Sequence, residues 1–272
     1  MRVTRRRGEA SERVRDALAV EEPLEIRLSW VRGGERQTES LAVTMRTPGD
    51  DFDLVAGFLY GEGIVRHARD IERMSYCRNG EAQEYNVVEV RLDTGSSPDL
   101  ARLRRSFHMT SACGVCGKAS LDAVTAIGCR ALPAGPTVEL RLLTELPDRL
   151  RAEQAVFEST GGLHAAGLFG VDGSPRWVRE DVGRHNAVDK IVGTLQMNSN
   201  ISAKESILLL SGRAGFELIQ KAVRSQIPVV ASIGAPSSLA VELAQTYGLT
   251  LIGFLRENRF NIYSGNDRFV PS

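Results

Sequence analysis

Ile207-Leu-Leu-Leu-Ser-Gly-Arg213 and Pro228-Val-Val-Ala-Ser-Ile-Gly-Ala-Pro-Ser-Ser238 share one construction, a short apolar run followed by a turn of hydroxyls and glycine. An apolar run bounded by turn residues reads as a strand buried on both faces. Helical stretches separate and follow these runs, at 216–223 and at 239–247, the second with Ala240, Leu243, Ala244 and Tyr247 on one face. Residues 250–255 and 260–263 read as further strands. Strand alternating with helix at these lengths predicts an α/β sheet, at least partly parallel, with helices on its faces.

Upstream, residues 164–171 and 177–180 flank Asp172-Gly173, a hairpin signal. Val188, Ile191, Val192 and Leu195 recur at amphipathic-helix spacing. Residues 146–160 read as one helix ended by Gly161-Gly162. Pro133, Gly135 and Pro136 mark a boundary, so this α/β lobe is expected to span 131–272. Before it, residues 24–31 alternate through Leu24, Ile26, Leu28 and Trp30, and 41–45 repeat the pattern. Asp50 offers an N-cap to a helix carrying Leu54, Val55, Phe58 and Leu59, closed by Gly61 and Gly63. Residues 71–77 and 85–92 add two strands, and 106–120 read as a flexible loop entering a short helix at 121–127. The expected second unit is a smaller α+β lobe, 23–130. Residues 1–22 read as a basic flexible tail: Met1-Arg-Val-Thr-Arg-Arg-Arg7 has the charge of an export signal, but no apolar segment follows. A cytoplasmic location is expected.

The 272 residues balance 34 basic against 34 acidic side chains, which lacks the basic excess of a dedicated nucleic-acid binder. No stretch approaches the roughly 20 apolar residues of a membrane helix. Only Lys118, Lys190, Lys204 and Lys221 are lysines among these cations; the rest are arginines, suited to planar anions.

Of four cysteines, Cys113 and Cys116 form Ser111-Ala-Cys-Gly-Val-Cys-Gly-Lys118. A thiol attacks only as thiolate, and a nearby cation, helix N-terminus or second thiol lowers its pKa. Three chemistries fit this spacing: half of a zinc site completed by Cys77 and Cys129, a thioredoxin-like dithiol, and a persulfide carrier. Arg179-Glu-Asp-Val-Gly-Arg-His-Asn-Ala-Val-Asp-Lys190 sits where a strand meets a helix, with Arg184, His185 and Asn186 as donors near free backbone N–H groups. Ser211, Gly212 and Arg213, then Ser232, Gly234 and Ser237, repeat that geometry at the next two strand ends. Three such turns would line one sheet edge and suit one extended anionic or nucleotide ligand. Phe254-Leu255-Arg256-Glu257-Asn258-Arg259 adds arginines for a diphosphate and an aromatic ring for a base. No Walker A or GxGxxG motif is present. His164 reads as a strand histidine or a ligand contact. Ala166 stands where a zinc deaminase needs glutamate, and no Pro-Cys-x-x-Cys follows, which argues against zinc deamination.

Together with Thr160-Gly-Gly-Leu-His-Ala-Ala-Gly167, Leu210-Ser-Gly-Arg213 and Arg259-Phe-Asn-Ile-Tyr263, these motifs resemble the formate dehydrogenase accessory sulfurtransferases, the FdhD family, over roughly 23–263. The resemblance implies a cytidine-deaminase-like mixed sheet with flanking helices, without deaminase zinc chemistry, and a homodimer. It implies sulfur from a cysteine desulfurase, carried on Cys113 with Cys116 resolving or releasing it. The implied acceptor is a molybdenum bis(molybdopterin guanine dinucleotide) cofactor destined for formate dehydrogenase, with GDP or GMP as partial ligands. Residue spacing alone does not choose between the two cysteines. A dithiol oxidoreductase, a non-catalytic cofactor chaperone and a zinc-stabilised interaction module remain the alternatives from other classes.

Overall fold

The structure, a computed structural model, describes residues 1–77, 85–93, 127–198 and 202–270. The chain opens with β1 (Arg2–Arg7) and β2 (Ala10–Arg15), paired antiparallel from Arg2↔Arg15 to Arg7↔Ala10. This corrects the expectation of a tail without regular structure. Alternation in this segment sets Val3 opposite Val14 and Arg5 opposite Glu12, and Gly8 makes the turn.

β3 (Glu22–Arg32), β4 (Glu35–Arg46), β5 (Ile71–Tyr76) and β6 (Val87–Leu92) form a four-stranded sheet ordered β4-β3-β6-β5. Its inner face carries Leu24, Ile26, Leu28 and Trp30 with Val88, Val90 and Leu92, packed on Leu54, Val55 and Leu59 of α1 (Asp51–Gly61). Asp50 occupies the N-cap but does not cap: its backbone is left-handed, and its carboxylate pairs with Arg179 at 3.4 Å. The turn before α1 is instead braced by the buried Arg46 guanidinium, bidentate on Asp51 at 3.0 Å for both bonds.

The larger layer has β8 (His164–Gly170), β9 (Pro175–Asp181), β10 (Ser206–Leu210), β11 (Val229–Ser232), β12 (Thr250–Arg256) and β13 (Arg259–Ser264). They lie in the order β13-β12-β11-β10-β8-β9. β10, β11 and β12 run parallel, while β8, β9 and β13 run antiparallel to their neighbours, so the sheet is mixed. Strand alternation divides two cores. Leu208 and Leu210 meet α4 (Arg184–Met197), α5 (Phe216–Arg224) and α6 (Ser238–Tyr247), whereas Ile207 and Leu209 meet α2 (Leu140–Ala152) on the other face. β7 (Val138–Glu139) and β14 (Phe269–Val270) pair in parallel, and Val138 and Phe269 pack on that second core. Mixed sheets with helices on their faces agree with the α/β reading.

Two helix expectations change. Residues 146–160 are not one helix. α2 begins earlier and runs through Pro147, because Leu143, Leu146 and Leu150 bury one face under the sheet; α3 (Ala155–Thr160) starts anew after Glu153 and the buried Gln154. Helix α4 is not amphipathic in its surroundings: every residue from Asn186 to Leu195 is buried. The sheet covers its apolar stripe and α1 covers the rest. Gly57 and Gly193 allow that approach. A Cβ on Gly193 would lie 2.6 Å from the Asp53 carbonyl carbon, and one on Gly57 would lie 2.8 Å from the Gly193 nitrogen. Among the described residues, no helix is long and apolar enough to cross a membrane.

Candidate functional site

The strand registers bring the C-terminal ends of β9, β10, β11 and β12 and the N-terminal ends of β8 and β13 to one edge: His164↔Asp181, Leu210↔Ala166, Leu210↔Ser232 and Arg256↔Arg259. Ligands of open α/β sheets bind at the carboxyl ends of the parallel strands. A cavity of about 620 Å³ opens at this edge. Of the residues picked out in sequence, Ser211, Leu255, Arg256 and Glu257 line it, with His164 and the Gly161-Gly162 pair.

The two turns following β10 and β11 are joined to each other. Gly234 N–H donates to the Gly212 carbonyl at 2.9 Å, Ala214 N–H to Ala235 at 3.2 Å and Ser237 N–H to Ala214 at 3.0 Å. Any Cβ on Gly234 would sit 2.8 Å from the Gly212 oxygen, so glycine is required there. On the other side Ser211 N–H donates to the Ala165 carbonyl at 3.0 Å, and its Oγ accepts the Ala165 N–H at 2.8 Å. These backbone groups hold the edge together and are not available to a phosphate. Ser232 is fully buried, its hydroxyl directed at the Gly234 and Ile252 carbonyls. Ser237 caps α6, accepting from Ala240 N–H at 3.3 Å. Arg213 is exposed outside the cavity lining.

The β9–α4 motif divides between two tasks. Asp181, Asn186 and Lys190 fasten the two layers. Lys190 Nζ lies 2.9 Å from the Asp181 carboxylate, both fully buried, and donates to the Thr47 and Glu180 carbonyls at 3.1 Å each. Asn186 donates to the Met45 carbonyl at 2.8 Å and to Asp181 at 2.9 Å. Asn186 is therefore a docking group between layers. Arg184 and His185 stay at the edge, beside His164 but outside the cavity lining. The Arg184 Nε is buried with no hydrogen-bond partner among the described residues, a donor suited to an anion. Burial, then the Arg184 charge, lowers the His164 pKa and pulls that of His185 down to about 4, so both imidazoles are neutral at neutral pH. His185 Nε2 lies 3.1 Å from Glu217.

At the β12–β13 turn, Phe254 takes a left-handed backbone with φ 53° and is 43% exposed, the shift in register between Gly253 and Arg256 turning it outward. Such a φ in a bulky residue is costly and marks a constrained site. Leu255 is buried, and Arg256 is oriented by donation to the Ile233 carbonyl at 2.9 Å. Asn258 and Arg259 are exposed and outside the cavity lining.

Sequence reasoning missed the opposite wall. Arg151, Gln154 and Phe157 line the cavity from the end of α2 and from α3. The Arg151 guanidinium lies 4.4 Å over the Phe157 ring. No spacing or motif signals this pair; only the break at Gln154 brings it about.

Cys113, Cys116, the 106–120 loop and all but the last residue of the 121–127 helix lie outside the described residues. The two described thiols are poor nucleophiles. Burial pushes Cys129 up to about 11, its Sγ meeting the Gln220 carbonyl at 3.8 Å. Burial and then Glu89, 4.0 Å away, raise Cys77.

Residues 19–270 match the model of the FdhD/NarQ family. The chain is 52% identical to a protein of Streptomyces coelicolor named sulfur carrier protein FdhD, over 93% of this chain and 89% of that one. It is 51% identical to a Mycobacterium tuberculosis protein of the same name, over 94% and 92%. In fold it is similar to the crystal structure of a candidate formate dehydrogenase accessory protein from Desulfotalea psychrophila, with TM-score 0.75, 22% identity and coverage of 99% and 98%.

Proposed function

This chain belongs to the FdhD/NarQ family, and on that premise we propose that it is a sulfur carrier serving formate dehydrogenase through a persulfide on Cys113. The observation that carries the reading is end-to-end likeness, at about half identity, to proteins named as sulfur carriers. The sulfur donor is a cysteine desulfurase. The Cys113 thiolate attacks the outer sulfur of the donor persulfide, the S–S bond breaks, and the donor thiolate leaves. Cys116 then attacks the inner sulfur of the Cys113 persulfide, forming a Cys113–Cys116 disulfide and delivering the outer sulfur as hydrosulfide. A cellular dithiol resets the pair. The raised thiols of Cys77 and Cys129 support assigning this chemistry to the other two cysteines.

The acceptor is the molybdenum bis(molybdopterin guanine dinucleotide) cofactor, held as a substrate. The strand-edge cavity is the seat of one nucleotide arm, for which GDP is a partial ligand. Arg256 in the cavity and Arg184 beside it supply cationic donors for phosphate, His164 and Ser211 supply neutral polar contacts, and Arg151 with Phe157 forms one wall. The reading includes a cytoplasmic homodimer. It also includes a cytidine-deaminase-like sheet in the larger layer, with Ala166 fully buried where the catalytic glutamate of a deaminase would stand.

Intact mass after incubation with a cysteine desulfurase and cysteine tests the carrier role. A gain of about one sulfur atom, removed by a reductant and lost in Cys113→Ala, is expected. An unchanged mass for the wild-type chain would overturn it.

A further inference from the structure

Helix α3 has six residues and is too short to persist on its own hydrogen bonds. The residue at its N-cap, Gln154, makes no side-chain capping bond. Its first amides are satisfied instead from β9: the Glu180 carboxylate accepts Val156 N–H at 3.0 Å and Phe157 N–H at 2.8 Å. Glu180 is itself fixed, paired with Ala165 in the sheet and with its carbonyl accepting from Lys190 at 3.1 Å. A carboxylate bonded to two neighbouring amides sets both the position and the rotation of the short helix. The consequence falls on Phe157, which lines the cavity together with Arg151, whose guanidinium lies 4.4 Å over one face of its ring. Such a paired guanidinium and aromatic plane suits a heteroaromatic base, which stacks on flat π-faces and on guanidinium planes alike.

We propose that Glu180 is a positioning residue for nucleotide binding: it pins α3 so that Phe157, paired with Arg151, presents a stacking wall to the base. This rests on the cavity being a nucleotide seat. The test is calorimetric titration of the full chain with GDP, in a double-mutant cycle of Glu180→Ala and Phe157→Ala. Glu180→Ala is expected to raise Kd about tenfold, the loss of much of one stacking contact. Glu180→Gln, which keeps an acceptor oxygen, should recover part of that. In the Phe157→Ala background, Glu180→Ala should add nothing, and amide exchange at Val156 and Phe157 should quicken whenever Glu180 is removed.

GDP bound equally well by Glu180→Ala and wild type would overturn the positioning role and leave the nucleotide seat standing. Equal losses in both backgrounds would also overturn it, since Glu180 would then act without Phe157. Failure of the wild-type chain to bind GDP would remove the nucleotide seat itself, and the positioning role with it. If Glu180→Ala does not fold, Glu180→Gln takes its place in the cycle: a weaker GDP affinity that vanishes in the Phe157→Ala background supports the role, and an unchanged affinity overturns it.

Discussion

Gly193→Ala adds one methyl where α4 crosses α1. An ordinary contact for a Cβ is 3.4–4 Å, yet this one would lie 2.6 Å from the Asp53 carbonyl carbon and 2.9 Å from its Cα. The obstacle is backbone, so no rotamer change relieves it. The helices must part by roughly 1 Å, at an overpacking cost of roughly 1–3 kcal/mol. Parting also stretches the Thr194 hydroxyl bond to Asp53 at 2.7 Å and the Arg179 bond to the same carboxylate at 3.2 Å. Weakening hydrogen bonds to a charged group adds roughly 1–2 kcal/mol, against about 1 kcal/mol returned by the better helix propensity of alanine. The net expectation is a loss of about 2.5 kcal/mol, or a fall in Tm of roughly 5–10 °C for a chain of this size. Urea and thermal unfolding followed by circular dichroism measure it. Gly215→Ala, whose Cβ would meet nothing within 4 Å, is the control and should shift stability by less than about 1 kcal/mol. A Gly193→Ala chain within about 1 kcal/mol of wild type would refute the backbone-to-backbone crossing, and with it the docking of one layer on the other.

Lys190→Met leaves the Asp181 carboxylate buried without its ion pair and should cost roughly 3–5 kcal/mol by urea unfolding; a change below about 1 kcal/mol would mean that the pair is not a desolvated tie between the layers. His185 titrates at about 4 in the fold, below the ordinary value of 6.5. Its contribution to stability is therefore full above about pH 6.5 and lost as pH falls towards 4. Melts of His185→Asn between about pH 7.5 and 4 should show a flatter acid limb than wild type, and parallel curves would count against an imidazole held neutral in the fold.

Much of the larger layer was legible in the chain. The apolar runs at 207–210 and 229–231 mark fully buried strands, the Asp172-Gly173 turn marks a hairpin, and all appear close to where the periodicity puts them. The misreadings have physical causes. The helix expected from Leu146 starts at Leu140, with Pro147 in its interior, because burial of Leu143, Leu146 and Leu150 outweighs the lost hydrogen bond. Asp50 has the residue type of a cap, but its carboxylate finds a better partner in Arg179. The Arg-rich N-terminal segment has the charge of a flexible tail, but its alternation sets a hairpin.

The candidate site was legible by residue type and illegible by role. In the β9–α4 motif, Asp181, Asn186 and Lys190 look as ligand-ready as Arg184 and His185. The difference lies in Met45 and Thr47, more than 130 residues distant in sequence, which take up their hydrogen bonds. Ser232 and Ser211 occupy equivalent turns, yet one is buried among carbonyls and the other lines the cavity. Local periodicity and turn chemistry thus determined the strands, most of the helices and the hydroxyl-rich strand ends, because those depend on neighbours within a few residues. Which strand ends share an edge, which polar groups join the layers, and how Arg151, Phe157 and Glu180 meet were decided only by the tertiary structure. Those outcomes depend on long-range pairing and burial, which no local pattern carries.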